Sequence, residues 1–173
     1  MKIIIYTLVG IGMIVWAIYC SVFARYEWNN KYLSNWELAD RASTISQKSE
    51  YVDKFVVSLQ NSGLQGVNNS LFFPTPQRSF DANLDAMISL QQRLHAIKDM
   101  DESSFEYQTA IQQITQQEQG EAHATIETLQ ECWYKVHHYW LWNGWLNLLY
   151  ALVVIGFLFM AFYHFVIWSE MDL

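Results

Sequence analysis

The sequence predicts an all-α membrane protein, with two transmembrane helices continuing into long extramembrane helices and a short third helix forming a distal helical bundle. Three observations carry that reading. The two ends, Ile3 to Ala24 and Trp140 to Trp168, are long apolar runs without Asp, Glu, Lys or Arg. The polar middle repeats its apolar residues at helical spacing. Only residues 63–79 gather glycine and proline, so only there does the sequence call for an irregular connection. The expected division is residues 1–24 as the first span, 25–139 as the extramembrane stalk and bundle, 140–168 as the second span and 169–173 as a short tail.

The first run covers 22 residues, about 33 Å as a helix, enough for a bilayer core. It is long for the apolar core of a cleaved signal peptide, and Tyr19 ahead of Cys20 does not suit lipobox cleavage, so a retained signal anchor is expected. Thr7, Gly10, Ile14, Ala17, Ser21 and Ala24 form a stripe of mostly small or polar residues along it, suited to close helix approach.

Past Ala24 no Pro or Gly occurs until Gly63, and apolar positions continue at Trp28, Leu38, Ala42, Ile45, Val52, Val56 and Leu59. This predicts one helix from Ile3 to Ser62, a stalk projecting about 57 Å. Gly63 stops it. The connection 63–79 carries adjacent Leu71, Phe72 and Phe73, which are expected to lie along the bundle out of water. A short helix follows over 81–98, with Leu84, Met87, Ile88, Leu94 and Ile97 on one side. Ser103 with Glu106 reads as a capping box. The last helix then carries Ile111, Ala122, Ile126, Leu129, Trp133 and Val136 without a break into the second span, with Gly120 its weak point.

Five of the eight tryptophans lie between Trp133 and Trp168, as an interfacial aromatic belt requires. Gly144, Asn147, Ala151, Val154, Leu158 and Ala161 make a second stripe, so the two spans are expected to pack on each other. Thr7, Gly10, Ala17, Ser21, Gly144 and Ala151 would line that contact, and Asn143 and Asn147 would seek partners across helices.

Between the spans the charge is net negative: nine basic residues remain once Lys2 is set aside, and fifteen acidic ones without Glu170 and Asp172. That balance excludes nucleic acid as a partner. The two cysteines, one per long helix, are too far apart along the axes for an intrachain bridge. Among the histidines, adjacent His137 and His138 point about 100° apart on a helix. His123 shares a row with Glu127, Glu131 and Lys135 that reads as a solvated charged face. His164, inside the second span, sits a turn from its end. They read as interfacial or surface groups, and a metal shared with another subunit is the alternative. No nucleophile setting, carboxylate pair or haem attachment sequence appears, so no enzyme activity and no cofactor are expected beyond structural lipids.

In outline the chain resembles the membrane-anchored helical-bundle sensing domains of bacterial receptors, from which it departs because only Ser169 to Leu173 follow the second span. The function expected is a non-catalytic accessory or assembly subunit of a larger membrane complex. Its partners would be other integral membrane subunits, a second copy of itself and the lipid bilayer. Docking is expected through a two-helix neck whose aromatic residues exceed what two helices cover: Trp28, Tyr32, Trp36, Trp133, Tyr134 and Trp140, with Leu71, Phe72, Phe73, Asn143 and Asn147. A ligand-binding sensor and a redox or metal-bearing subunit are the alternatives. The expected location is a bacterial inner membrane, with the central region exported.

Overall fold

The computed structural model describes residues 2–98, 100–101, 104–117 and 121–171, and within them all side chains except those of residues 2, 3, 113, 115–117, 139 and 168–171. Ser103 of the expected capping box and Gly120 lie outside the described residues; Ser104 does the capping, its Oγ accepting from the Tyr107 N–H at 3.1 Å. The described chain is all-helical, apart from one isolated bridge between Asn68 and Ser79.

Helix α1 (Lys2–Trp28) runs through a π turn (Asn29–Leu33) into α2 (Ser34–Asp40). The wide turn resets the helical phase, and Trp28, Tyr32 and Ala39 all end fully buried. Here the structure corrects the expected 60-residue rod. The helix ends at Asp40, the chain turns at Arg41–Thr44, and α3 (Ile45–Gln60) folds back along α2 and the π turn. The Trp36 and Phe55 rings come within 5.7 Å; on a continuous helix their 19-residue separation would be about 28 Å. Thr44 caps the start of the new helix. It is extended (φ −126°, ψ 150°), and its Oγ1 accepts from the Gln47 N–H at 3.2 Å.

Gly63 and Gly66 then take positive φ of 72° and 78°, a conformation that costs side-chain-bearing residues strain. Helix α4 (Phe80–Lys98) rises antiparallel to α3 and buries Phe80, Leu84, Met87, Leu90, Leu94 and Ile97. Asp53 of α3 clasps it, its Oδ1 accepting from Gln91 Nε2 at 2.7 Å and lying 2.8 Å from His95 Nε2. Helices α5 (Phe105–Gln117) and α6 (His123–His137) return toward the base, with α6 packed on α4. One core joins Trp28, Tyr32, Phe55, Leu59, Phe80, Leu94, Leu129 and Trp133. The head therefore stands one helix-hairpin high, about 25 Å by the length of α3, directly on the end of α1.

The expected unbroken passage into the second apolar run is corrected as well. His138 leaves the helix (φ −142°, ψ 69°), a 3-10 turn (Tyr139–Leu141) follows, and α7 (Gly144–Met171) starts afresh. Asn143 begins it, its Oδ1 accepting from the Trp145 N–H at 2.9 Å. The break allows α6 to pack on the head while α7 lies along α1. Two helical segments, Ile4–Asp40 and Gly144–Ile167, are long and apolar enough to cross a membrane.

Candidate functional site at the base of the head

The base of the head, where α1, α6 and α7 converge, is where the aromatic residues gather. Trp28, Tyr32 and Trp133 are essentially solvent-free and Tyr134 nearly so. Ring centroids lie 4.7 Å apart for Trp28 and Tyr32 and 6.0 Å for Trp28 and Trp133. The expectation of an exposed aromatic neck is thus corrected for these four. A folded-back α3 adds the third wall that two crossing helices lacked, so the surplus is absorbed inside the chain. Trp36 is half-buried against Phe55, and Trp140 is half-buried in a stack with Tyr150 at 5.1 Å.

Upon this core lies the connection 61–79, which is knotted by hydrogen bonds. The Asn69 N–H donates to the Arg78 carbonyl at 3.0 Å and the Phe80 N–H to the Val67 carbonyl at 2.8 Å. Asn68 Nδ2 donates to the Thr75 carbonyl at 2.8 Å. Helix α6 grips the outside of this knot. Lys135 Nζ donates to the Asn68 carbonyl at 2.6 Å and lies 3.3 Å from that of Ser70, while Asn69 Nδ2 donates to the Glu131 carboxylate. The same ammonium sits 4.7 Å from the centre of the Trp142 ring. Glu131 and Lys135 therefore do not form the solvated row expected of them; of that row Glu127 is exposed, paired with His123 at 3.3 Å.

Burial pushes the pKa of the Glu131 carboxyl up from its ordinary value, against the pull of Arg78 and the Asn69 hydrogen bond. Burial first and the Glu131 charge second push the Cys132 thiol up to about 11, so it stays a neutral S–H, 3.8 Å from the Arg78 carbonyl and 4.0 Å from that of Val67. Burial also raises the Tyr134 phenol, whose oxygen accepts from Gln130 Nε2 at 2.8 Å. Of these groups, Glu131 and Cys132 touch the connection and help to hold it in place. A thiol so protonated is a poor nucleophile and a poor metal ligand.

The tip of the connection contrasts with its base: Leu71, Phe72 and Phe73 are 39%, 79% and 84% exposed. They do not lie against the bundle as expected, because Asn68 spends its amide on Thr75 and pinches residues 71–74 outward.

The histidines are dispersed. His137 stacks on Trp133 at 4.6 Å and its Nδ1 donates to the Trp133 carbonyl at 3.0 Å. The His138 ring centre is 6.5 Å from that of His137, and burial lowers its pKa from the ordinary 6.5. His164 stacks on Tyr6 of α1 at 5.6 Å. Among the described residues no three His, Cys, Asp or Glu side chains converge as a metal would require.

Along the stripe of α1, Gly10 and Ala24 are buried, Thr7, Ala17 and Ser21 half-buried and Ile14 exposed. A Cβ at Gly10 would stand 3.6 Å from Leu158. On α7 the expectation for Gly144 and Ala151 is corrected, since both are exposed. Tyr150, whose hydroxyl donates to the Met13 carbonyl, sets the rotation of α7 and turns Asn147, Val154 and Ala161 toward α1. The Asn147 Oδ1 is buried there without a hydrogen-bond partner among the described residues. Sequence reasoning missed Lys135, Glu131, Asn68, Asn69 and Tyr150, whose roles depend on long-range partners that no local pattern marks.

Comparison with protein-family models, with curated proteins and with solved structures finds no match.

Proposed function

We propose that α1 and α7 both cross a membrane and that the protein is a non-catalytic accessory or assembly subunit, its compact head presented to partners just above the bilayer. The observation that supports a partner-binding role is the distribution of exposed apolar side chains on the head. With the aromatic base consumed internally, they collect at the ends. At the distal end, where α2 ends, α4 ends and α5 starts, Leu38 is 45%, Met100 39% and Phe105 81% exposed. Exposed apolar side chains gathered at one end of a head, unlike ones scattered singly, mark an interaction site. A protein partner seated on the distal end accounts for it.

The recess between α4 and α6, lined by Met87, Leu90, Arg93, Ala122 and Thr125 among others, holds about 80 Å³. That is room for a few waters; the hollow of about 650 Å³ beside it, lined by Arg78, Asn83, Ala124 and Thr128 among others, lies open to solvent, so neither is the enclosed pocket that the sensing alternative expects.

The reading is tested by purifying the full chain from its native membrane in mild detergent and measuring mass by light scattering, for wild type and Phe105→Asp. A heavier assembly of fixed stoichiometry, lost in the variant while helicity is retained, is the expected result. A wild-type chain that is monodisperse and monomeric would contradict it.

A further inference from the structure

We propose that the Leu71–Phe73 tip is a third membrane contact, inserted in the interfacial layer of the leaflet beside the head; this rests on the reading that α1 and α7 span the bilayer. Three positions set the level of the tip. Helix α3 descends to pack beside the π turn at Asn29–Leu33, about one turn above Arg25, the first charge after the apolar run of α1, so the connection starts at the base of the head. It ends at Phe80, where α4 starts upward. Between them, Lys135 Nζ lies 3.3 Å from the Ser70 carbonyl and 4.7 Å from the Trp142 ring centre, which places Ser70 within about 8 Å of a tryptophan two residues before α7 begins. Phe72 is two residues further, a reach of about 7 Å.

The chemistry of the segment fits the interfacial layer. Phe72 and Phe73 are the most exposed aromatic pair outside the two apolar helices. Pro74 and Pro76 stiffen the returning strand, and the 3-10 turn at Pro76–Arg78 locks its base, so ordering the tip costs little when it binds. Arg78 lines the recess under the tip, and Lys135 lies at its root, two cations at the height of lipid phosphates. An aromatic belt is ordinarily supplied by the spans themselves. In this chain Trp28 and Tyr32 have been taken into the core, Tyr26 and Trp145 stay exposed at the head end of α1 and α7, and the loop adds two phenylalanines at that level.

The test uses the full chain reconstituted in phosphatidylcholine vesicles, with a spin label at Phe73→Cys, at Leu152→Cys of α7 or at Ser46→Cys, exposed at the far end of the head. Native Cys20 and Cys132 are buried, and the unsubstituted chain carried through labelling measures their background. Collision rates with oxygen, which concentrates in lipid, and with a water-soluble nickel chelate are compared. The expected result is an oxygen-to-nickel ratio at position 73 several-fold above that at 46 and below that at 152. A label at 152 in lipid with 73 matching 46 would overturn the tip contact and leave the spans intact. A label at 73 shielded from both reagents would overturn it in favour of a second copy covering the tip. If 152 itself proved water-exposed, the two-span reading would fall and the proposal with it.

Discussion

The base of the head and the tip of its loop use the same residue chemistry to opposite ends. Trp28, Tyr32 and Trp133 are covered by three helices from the same chain, while Phe72 and Phe73, only a loop's width away, are left bare. Aromatic density in sequence therefore says where apolar surface must be satisfied and leaves open by what. The deciding factor is the number of walls. Turning back at Arg41–Thr44 brings Phe55 and Leu59 against the aromatic cluster, whereas the pinch at Asn68 and Thr75 turns residues 71–73 away from any helix.

This contrast breaks most visibly at Trp133. Truncating it to alanine should cost about 3–5 kcal/mol, the range for large buried aromatics, read as a lowered midpoint in detergent-phase denaturation. If the residue served a partner rather than the core, the isolated chain would hardly notice. Removing Lys135 tests the link between the two regions. Lys135→Met leaves the Asn68 and Ser70 carbonyls without their cation, and a loss of about 1–2 kcal/mol is expected, with faster hydrogen exchange confined to the 67–80 connection. At the tip, Phe72→Ser with Phe73→Ser should stay within about 0.5 kcal/mol of wild type in detergent, as exposed sites do.

The smallest effect concerns His138. Burial lowers its pKa in the folded chain below the ordinary 6.5, so below that pH the unfolded chain takes up a proton that the folded chain resists. Stability contributed by this group is thus intact above pH 6.5 and falls as pH drops toward the depressed folded value. His138→Gln should flatten that part of a thermal-midpoint profile, and an unchanged slope would assign the loss to other groups.

Much of the fold was legible. The apolar runs, the stop at Gly63 and the 81–98 helix depend on local periodicity and punctuation, and α4 sits where these put it. The turn at Arg41–Thr44 was also written in the chain, as Thr44 with Gln47 three residues on, a capping-box pattern. Reading only Gly and Pro as breakers hid it. Asn143, placed just before Gly144, marked the start of α7 in the same way. The candidate site was less legible, because it is assembled from ties such as Lys135 to Asn68 and Asn69 to Glu131, more than sixty residues apart. On α7 the stripe of small residues misled at Ala151, since the Tyr150 hydrogen bond to Met13 decides the rotation.

The covered aromatic base and the bare loop tip both depend on α3 folding back beside the base of the head. Spin labels at Tyr26→Cys and Asn61→Cys, both at exposed positions, measure this directly by pulsed dipolar spectroscopy in detergent. The folded-back head requires a single short distance of roughly 20 Å, one interhelix spacing plus a turn or so of rise. A distance near 50 Å, the length of an unbroken helix over those 35 residues, would contradict it.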